Sequence, residues 1–240
     1  MVGITRPRVA DLLTLANALC GAAVILLVTT VESDPVGLLR LVAVLLLCGT
    51  VLDTADGPVA RRWGGSPLGA PLDNLADCVT FGVAPAVALA VLASSGATPL
   101  ENGLLVVGAL VYVAGALLRL ADFSAVRHDQ PGFTGLPSPL AATCAIVFGF
   151  LSPTPWAAAL ALVVLGVLMV SRVHYPAQRG AALGISSVGW AVWLGGAIGL
   201  YPMRVPAIAG LAVILVAVPV AHGVRWSGRQ PVVIPASVDP

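Results

Sequence analysis

Runs of about 16 to 23 predominantly apolar residues recur along this chain, each close to the ~20 needed to cross ~30 Å of hydrocarbon as an α-helix. Eight are read, approximately at 11–31, 36–52, 78–96, 103–121, 138–152, 155–171, 185–201 and 205–222. Short turns separate most of them, with Pro and Gly at the breaks, as in Ser152-Pro153-Thr154-Pro155 and Tyr201-Pro202, where a helix ends or restarts. With 58% hydrophobic and 10% charged residues, a water-soluble fold would lack the charge to cover its surface. The expectation is an all-α, polytopic membrane bundle of about eight helices over residues 1–222, followed by a polar, disordered tail at 223–240.

There is no lysine, so arginine alone carries the topological signal. Arg6, Arg8, Arg61, Arg62, Arg119, Arg127, Arg172, Arg179, Arg225 and Arg229 fall on one side of the predicted spans, and Arg40 and Arg204 on the other. The positive-inside rule then puts both termini in the cytoplasm of a multi-pass cell-membrane protein. The N-terminal arginines and apolar stretch read as a first span rather than a cleaved signal, because no small-residue cleavage site precedes a soluble domain. Cys20, Cys48, Cys78 and Cys144 show no paired metal or redox spacing and read as small apolar residues. A net charge of +1 offers no footprint for nucleic acid, which is not expected as a partner.

Against this apolar background, Asp53, Asp56, Asp73 and Asp77 stand within 25 residues of one another. A carboxylate at membrane depth costs at least ~2.5 kcal/mol, so four together call for a cation or a water-filled cavity. Asp53 and Asp56 are three apart, and Asp73 and Asp77 four apart, so on helices each pair shares a face. Two helix ends can converge on metal. Hard oxygen ligands favour Mg²⁺ or Mn²⁺, and two ions are expected. Gly57 and Ala60 continue the first stripe and Gly69 the second, leaving room for a phosphate chain against both, while Arg61 supplies a permanent cation for phosphate oxygens. The bland alternative, helix caps and surface loop residues, does not require such joint spacing.

The stretch Asp53-Thr-Ala-Asp56-Gly57-Pro-Val-Ala60-Arg61, a seven-residue spacer, then Gly69-Ala-Pro-Leu-Asp73-Asn-Leu-Ala-Asp77 resembles the signature of the CDP-alcohol phosphatidyltransferase family. The resemblance implies that the four aspartates hold the metals, that Gly57, Ala60, Arg61 and Gly69 meet the CDP part of the donor, and that Asp77 is the base. It also implies CDP-diacylglycerol and a polar alcohol as substrates, CMP as leaving group, and a homodimer. Further blocks resemble bacterial phosphatidylserine synthases: Leu12 to Gly21, with Thr14 and Asn17; Asp77 to Pro85; Arg119-Leu-Ala-Asp122-Phe123-Ser124; Phe133 to Pro139; and Leu168 to Pro176. L-serine is therefore the expected acceptor.

Thr14 and Asn17 either meet the nucleotide or hydrogen-bond between helices. Arg119, Asp122, Arg127 and Arg172 are the candidate acceptor contacts. Asp122 and Ser124 stand where the synthases carry arginine and asparagine. An aspartate there would repel a serine carboxylate unless Arg127 or Arg172 substitutes, so inositol phosphate, glycerol phosphate and choline stay open as acceptors. The Gly135-to-Pro139 stretch reads as a shaped turn, and the histidines receive no role. A cation-coupled transporter is the rival from another class, but it would keep its acids near the midplane of repeated halves, whereas these four cluster at one end.

Overall fold

The computed structural model describes residues 7–32, 34–125, 133–151 and 153–175. Along them run α1 (Val9–Thr30), α2 (Pro35–Trp63), α3 (Gly69–Asp77), a π-helical turn (Cys78–Val83), α4 (Ala84–Ala93), α5 (Pro99–Ala125), α6 (Ser138–Gly149) and α7 (Pro155–Val170). A two-residue antiparallel pair, β1 (Phe133–Thr134) with β2 (His174–Tyr175), is the extended structure among the described residues.

Local chemistry places the helix starts. The Asp34 carboxylate accepts from the Gly37 N–H at 2.8 Å and Pro35 occupies the first turn, a cap followed by a preset φ. Thr98 and Glu101 exchange reciprocal bonds, Thr98 N–H to Glu101 Oε2 at 2.8 Å and Glu101 N–H to Thr98 Oγ1 at 3.3 Å. This capping box opens α5 at Pro99. Thr154 and Pro155 repeat the cap-and-proline arrangement at α7. Gly64, at φ +86°, ends α2 in a conformation that a side chain resists.

Four helical stretches are long and apolar enough to cross a membrane: Val9–Thr30, Pro35–Trp63, Gly69–Ala93 and Pro99–Ala125. α6 and α7 are apolar but shorter. Six of the eight expected spans thus have helical counterparts, whereas those at 185–201 and 205–222, and the 223–240 tail, lie outside the described residues. Two boundaries move furthest. α2 continues eleven residues past the predicted end at 52 to Trp63, and the third stretch begins at Gly69 rather than 78. Hydropathy marks where a helix is apolar, not where its backbone stops, and here the polar signature continues both helices. Pro58 lies inside α2 and is exposed there.

Two packed regions hold the bundle together. Val24, Val28, Leu39, Val42, Leu46, Ala84 and Ile146 join α1, α2, α4 and α6. Leu89, Leu105, Tyr112, Leu162 and Met169 join α4, α5 and α7. α5 and α7 approach through glycine: a Cβ at Gly108 would lie 2.7 Å from the Ala159 carbonyl oxygen, and Gly115 meets the Gly166 backbone. Between apolar helices, such small-residue contact is a main source of attraction. Their outer faces expose Leu12, Leu15, Leu19 and Leu26 on α1, and Val106, Val107, Leu110, Leu117 and Leu118 on α5. Hydrocarbon is the solvent in which such a surface is stable.

Candidate active site

The signature aspartates converge where α2 ends and α3 begins. Asp53 and Asp56 come from one stripe of α2, and Asp73 from the facing side of α3. One carboxylate oxygen from each lies within 4.8 Å of the other two. Asp77, one turn further along α3, brings its carboxyl within hydrogen-bonding reach of Asp53. All four are partly buried. Negative groups this close repel strongly at reduced dielectric, so the arrangement fits a hard divalent cation that spans them. This donor set contains oxygen alone, which disfavours zinc and copper.

α1 closes the site from behind. Thr14 Oγ1 lies 2.6 Å from Asp56 Oδ2 and 3.1 Å from the Ala10 carbonyl, so one hydroxyl serves a carboxylate and its own helix. Asn17, fully buried, donates from Nδ2 to Asp77 Oδ1 at 3.3 Å. Asn17 Oδ1 has no partner among the described residues, a loss worth about 1–3 kcal/mol for a buried acceptor.

In front of the aspartates opens a cavity of about 240 Å³, lined by Ala10, Asp11, Thr14, Asp56, Gly57, Gly65, Ser66, Gly69, Ala70 and Asp73. Its walls are small or polar and include the carboxylates of Asp11, Asp56 and Asp73, whereas Asp53 and Asp77 do not line it. Gly57 and Gly69 line it as expected. Ala60 and Arg61 do not, although Ala60 faces Gly65, and Arg61 lies along Gly57 with its guanidinium exposed.

Two lining residues escape a reading of the sequence. Asp11 is buried at 2% exposure. Its Oδ2 accepts from the Arg8 N–H at 2.6 Å and its Oδ1 from Ser66 Oγ at 2.8 Å. Ser66 Oγ also lies 3.1 Å from the Leu68 N–H. The spacer loop is thereby tied to the start of α1, 55 positions away. An acid in the first turn of a helix is a weak hint, since it complements the helix dipole wherever it occurs.

The expected acceptor contacts spread out. Arg119 Nη1 donates to the Gly135 carbonyl at 3.2 Å, pinning the turn that follows β1. Gly135 has φ +80°, and its Cα packs against the Met169 carbonyl. Asp122 and Arg172 are exposed and do not line the cavity, and Arg127 lies outside the described residues. Ser124 Oγ reaches Asn74 Oδ1 at 3.0 Å, so the end of α5 carrying Asp122 stands beside α3.

Comparison with known proteins matches residues 8–222 to CDP-alcohol phosphatidyltransferase. An archaetidylserine synthase of Methanothermobacter thermautotrophicus is 36% identical over 176 residues, covering 71% of this chain and 70% of that protein. A CDP-diacylglycerol–serine O-phosphatidyltransferase of Bacillus subtilis is 32% identical over 183 residues, covering 75% and 96%. The protein of that same description from Mycobacterium leprae is 41% identical over a shorter 111 residues, covering 42% and 35%. With Asp53, Asp56 and Asp73 clustered and the match spanning most of its length, this chain belongs to the CDP-alcohol phosphatidyltransferase family.

Proposed function

We propose that the chain transfers a phosphatidyl group from CDP-diacylglycerol to L-serine, giving phosphatidylserine and CMP. The observation that carries the reading is the clustering of Asp53, Asp56 and Asp73, from two helices and with Asp77 beside Asp53, next to a cavity with small and polar walls that Asp56 and Asp73 line. Serine as acceptor is supported by relatives whose names specify it.

Asp53, Asp56, Asp73 and Asp77 would hold divalent metal, Mg²⁺ or Mn²⁺ and two ions in this reading. Bound metal supplies Lewis-acid stabilisation of charge on the pyrophosphate and on departing CMP. Gly57 and Gly69 leave backbone surface open to the donor's phosphates, and Arg61 adds a cation at the cavity's edge. Asp77 accepts the proton of the serine hydroxyl as the oxygen attacks the lipid-bearing phosphorus. The bond from that phosphorus to the bridging oxygen breaks, and CMP leaves with the electron pair. Apolar outer helix faces let the acyl chains remain in the bilayer, and the arginine asymmetry supports a cavity that opens toward the cytoplasm.

An acceptor panel tests the assignment. Purified protein with CDP-diacylglycerol and Mn²⁺ is expected to release CMP with serine and not with inositol phosphate, glycerol phosphate or choline. Release with one of those alone would reject serine and make Asp122 the first residue to examine.

A further inference from the structure

We infer that Asn17 is a positioning residue for Asp77, held in register by Thr80 of the π-helical turn; this rests on the reading of Asp77 as proton acceptor. Asn17, like Asp77, stands behind the residues that line the cavity. Its amide nitrogen is committed to Asp77 Oδ1. A base acting through one carboxylate oxygen benefits from a donor fixing the other. A neutral amide does this without adding charge to a site that already holds four acids. Turned the other way, the amide would set an oxygen against a carboxylate.

Neighbouring residues hold the Asn17 backbone and limit the space around its amide. Thr80 Oγ1 donates to the Asn17 main-chain carbonyl at 2.8 Å, and both residues are fully buried. That contact depends on the π-helical turn, which begins directly after Asp77 and carries Thr80 against α1. Such turns recur at functional positions. Gly21 and Gly49 make the room: a Cβ at Gly21 would lie 2.7 Å from Thr80 Oγ1, and one at Gly49 would lie 2.9 Å from Asn17 Oδ1 and 2.8 Å from Thr80 Cγ2. From the far side, Tyr112 OH donates to the Phe81 carbonyl at 3.1 Å, anchoring the same turn to α5.

The test uses the purified full-length chain in detergent with CDP-diacylglycerol, Mn²⁺ and the acceptor that the panel identifies, and measures kcat, donor KM and calorimetric CMP affinity. Asn17→Ala is expected to lower kcat by about 10- to 100-fold while donor KM and CMP affinity stay within about threefold. Thr80→Val, which keeps the shape and loses the hydroxyl, is expected to lower kcat in the same way, and Thr80→Ser to retain it. Should Asn17→Ala fail to fold, the Thr80 pair decides. A rise in donor KM and a weaker CMP affinity at unchanged kcat would make Asn17 a nucleotide contact and overturn the inference, as would equal activity of Thr80→Val and Thr80→Ser. Asp77→Asn runs beside them. Full activity there overturns the base assignment and this inference together, whereas a dead Asp77→Asn with a fully active Asn17→Ala overturns this inference alone.

Discussion

Thr14 shows how one hydroxyl can matter to a metal site without touching metal. At 2.6 Å from Asp56 Oδ2, it orients a carboxylate that clusters with those of Asp53 and Asp73. Removing such a supporting bond typically weakens metal binding by about 10- to 100-fold. Thr14→Val, nearly the same shape, should therefore raise the Mn²⁺ dissociation constant by about tenfold in a calorimetric titration, while an unchanged constant would show that Asp56 is held by its helix alone. The aspartates themselves were legible because spacings of three and four translate directly into a shared helix face. Asp11 and Ser66 were not, since what makes them a pair is a tertiary contact across 55 positions. Asn17 was legible as a polar residue in an apolar helix, but its partner, Asp77, was visible only in three dimensions.

Between elements, the π-helical turn and the glycine contacts do what hydropathy cannot signal. The turn lies within the apolar run from Cys78 onward, and nothing in that run's composition distinguishes a π-helix from an α-helix. Its Phe81 carbonyl is served by a buried tyrosine hydroxyl. Tyr112→Phe removes that donor from a buried carbonyl at a cost of about 0.5–1.5 kcal/mol. For a chain of this size, thermal unfolding in lipid nanodiscs should fall by about 2–4 °C per kcal/mol lost, and an unshifted midpoint would assign the Phe81 carbonyl another donor. Gly115→Val should cost more, because the backbone of Gly166 occupies the space its side chain would enter. The same thermal measurement should show a drop larger than that of Tyr112→Phe; a smaller one would contradict glycine-mediated packing of α5 on α7. The starts of α2 and α7 were easier to anticipate, since Pro35 and Pro155 each follow a capping side chain, whereas α5 begins at Pro99, four residues before its predicted start.

As a whole, the molecule is an apolar bundle with its aspartate cluster at one end of α2. Trp63 and its arginine neighbours close α2 beside the aspartate cluster. If arginine asymmetry sets the topology, Trp63→Cys introduced into a cysteine-free background should react with a membrane-impermeant maleimide in inverted vesicles and not in right-side-out ones. The reverse pattern would place the cavity outside. Class and general architecture were readable because a bilayer imposes helix and length together. Ends were less so, since the signature's polar residues extend helices that hydropathy alone would stop. The central claim, metal-assisted phosphatidyl transfer with Asp77 as proton acceptor, meets its most direct test in CMP and phosphatidylserine quantified together from CDP-diacylglycerol and serine. The account predicts equal amounts of the two, loss of both on chelation with recovery on adding Mn²⁺, and loss of both in Asp77→Asn. CMP formed without phosphatidylserine, or turnover that survives chelation, would contradict it.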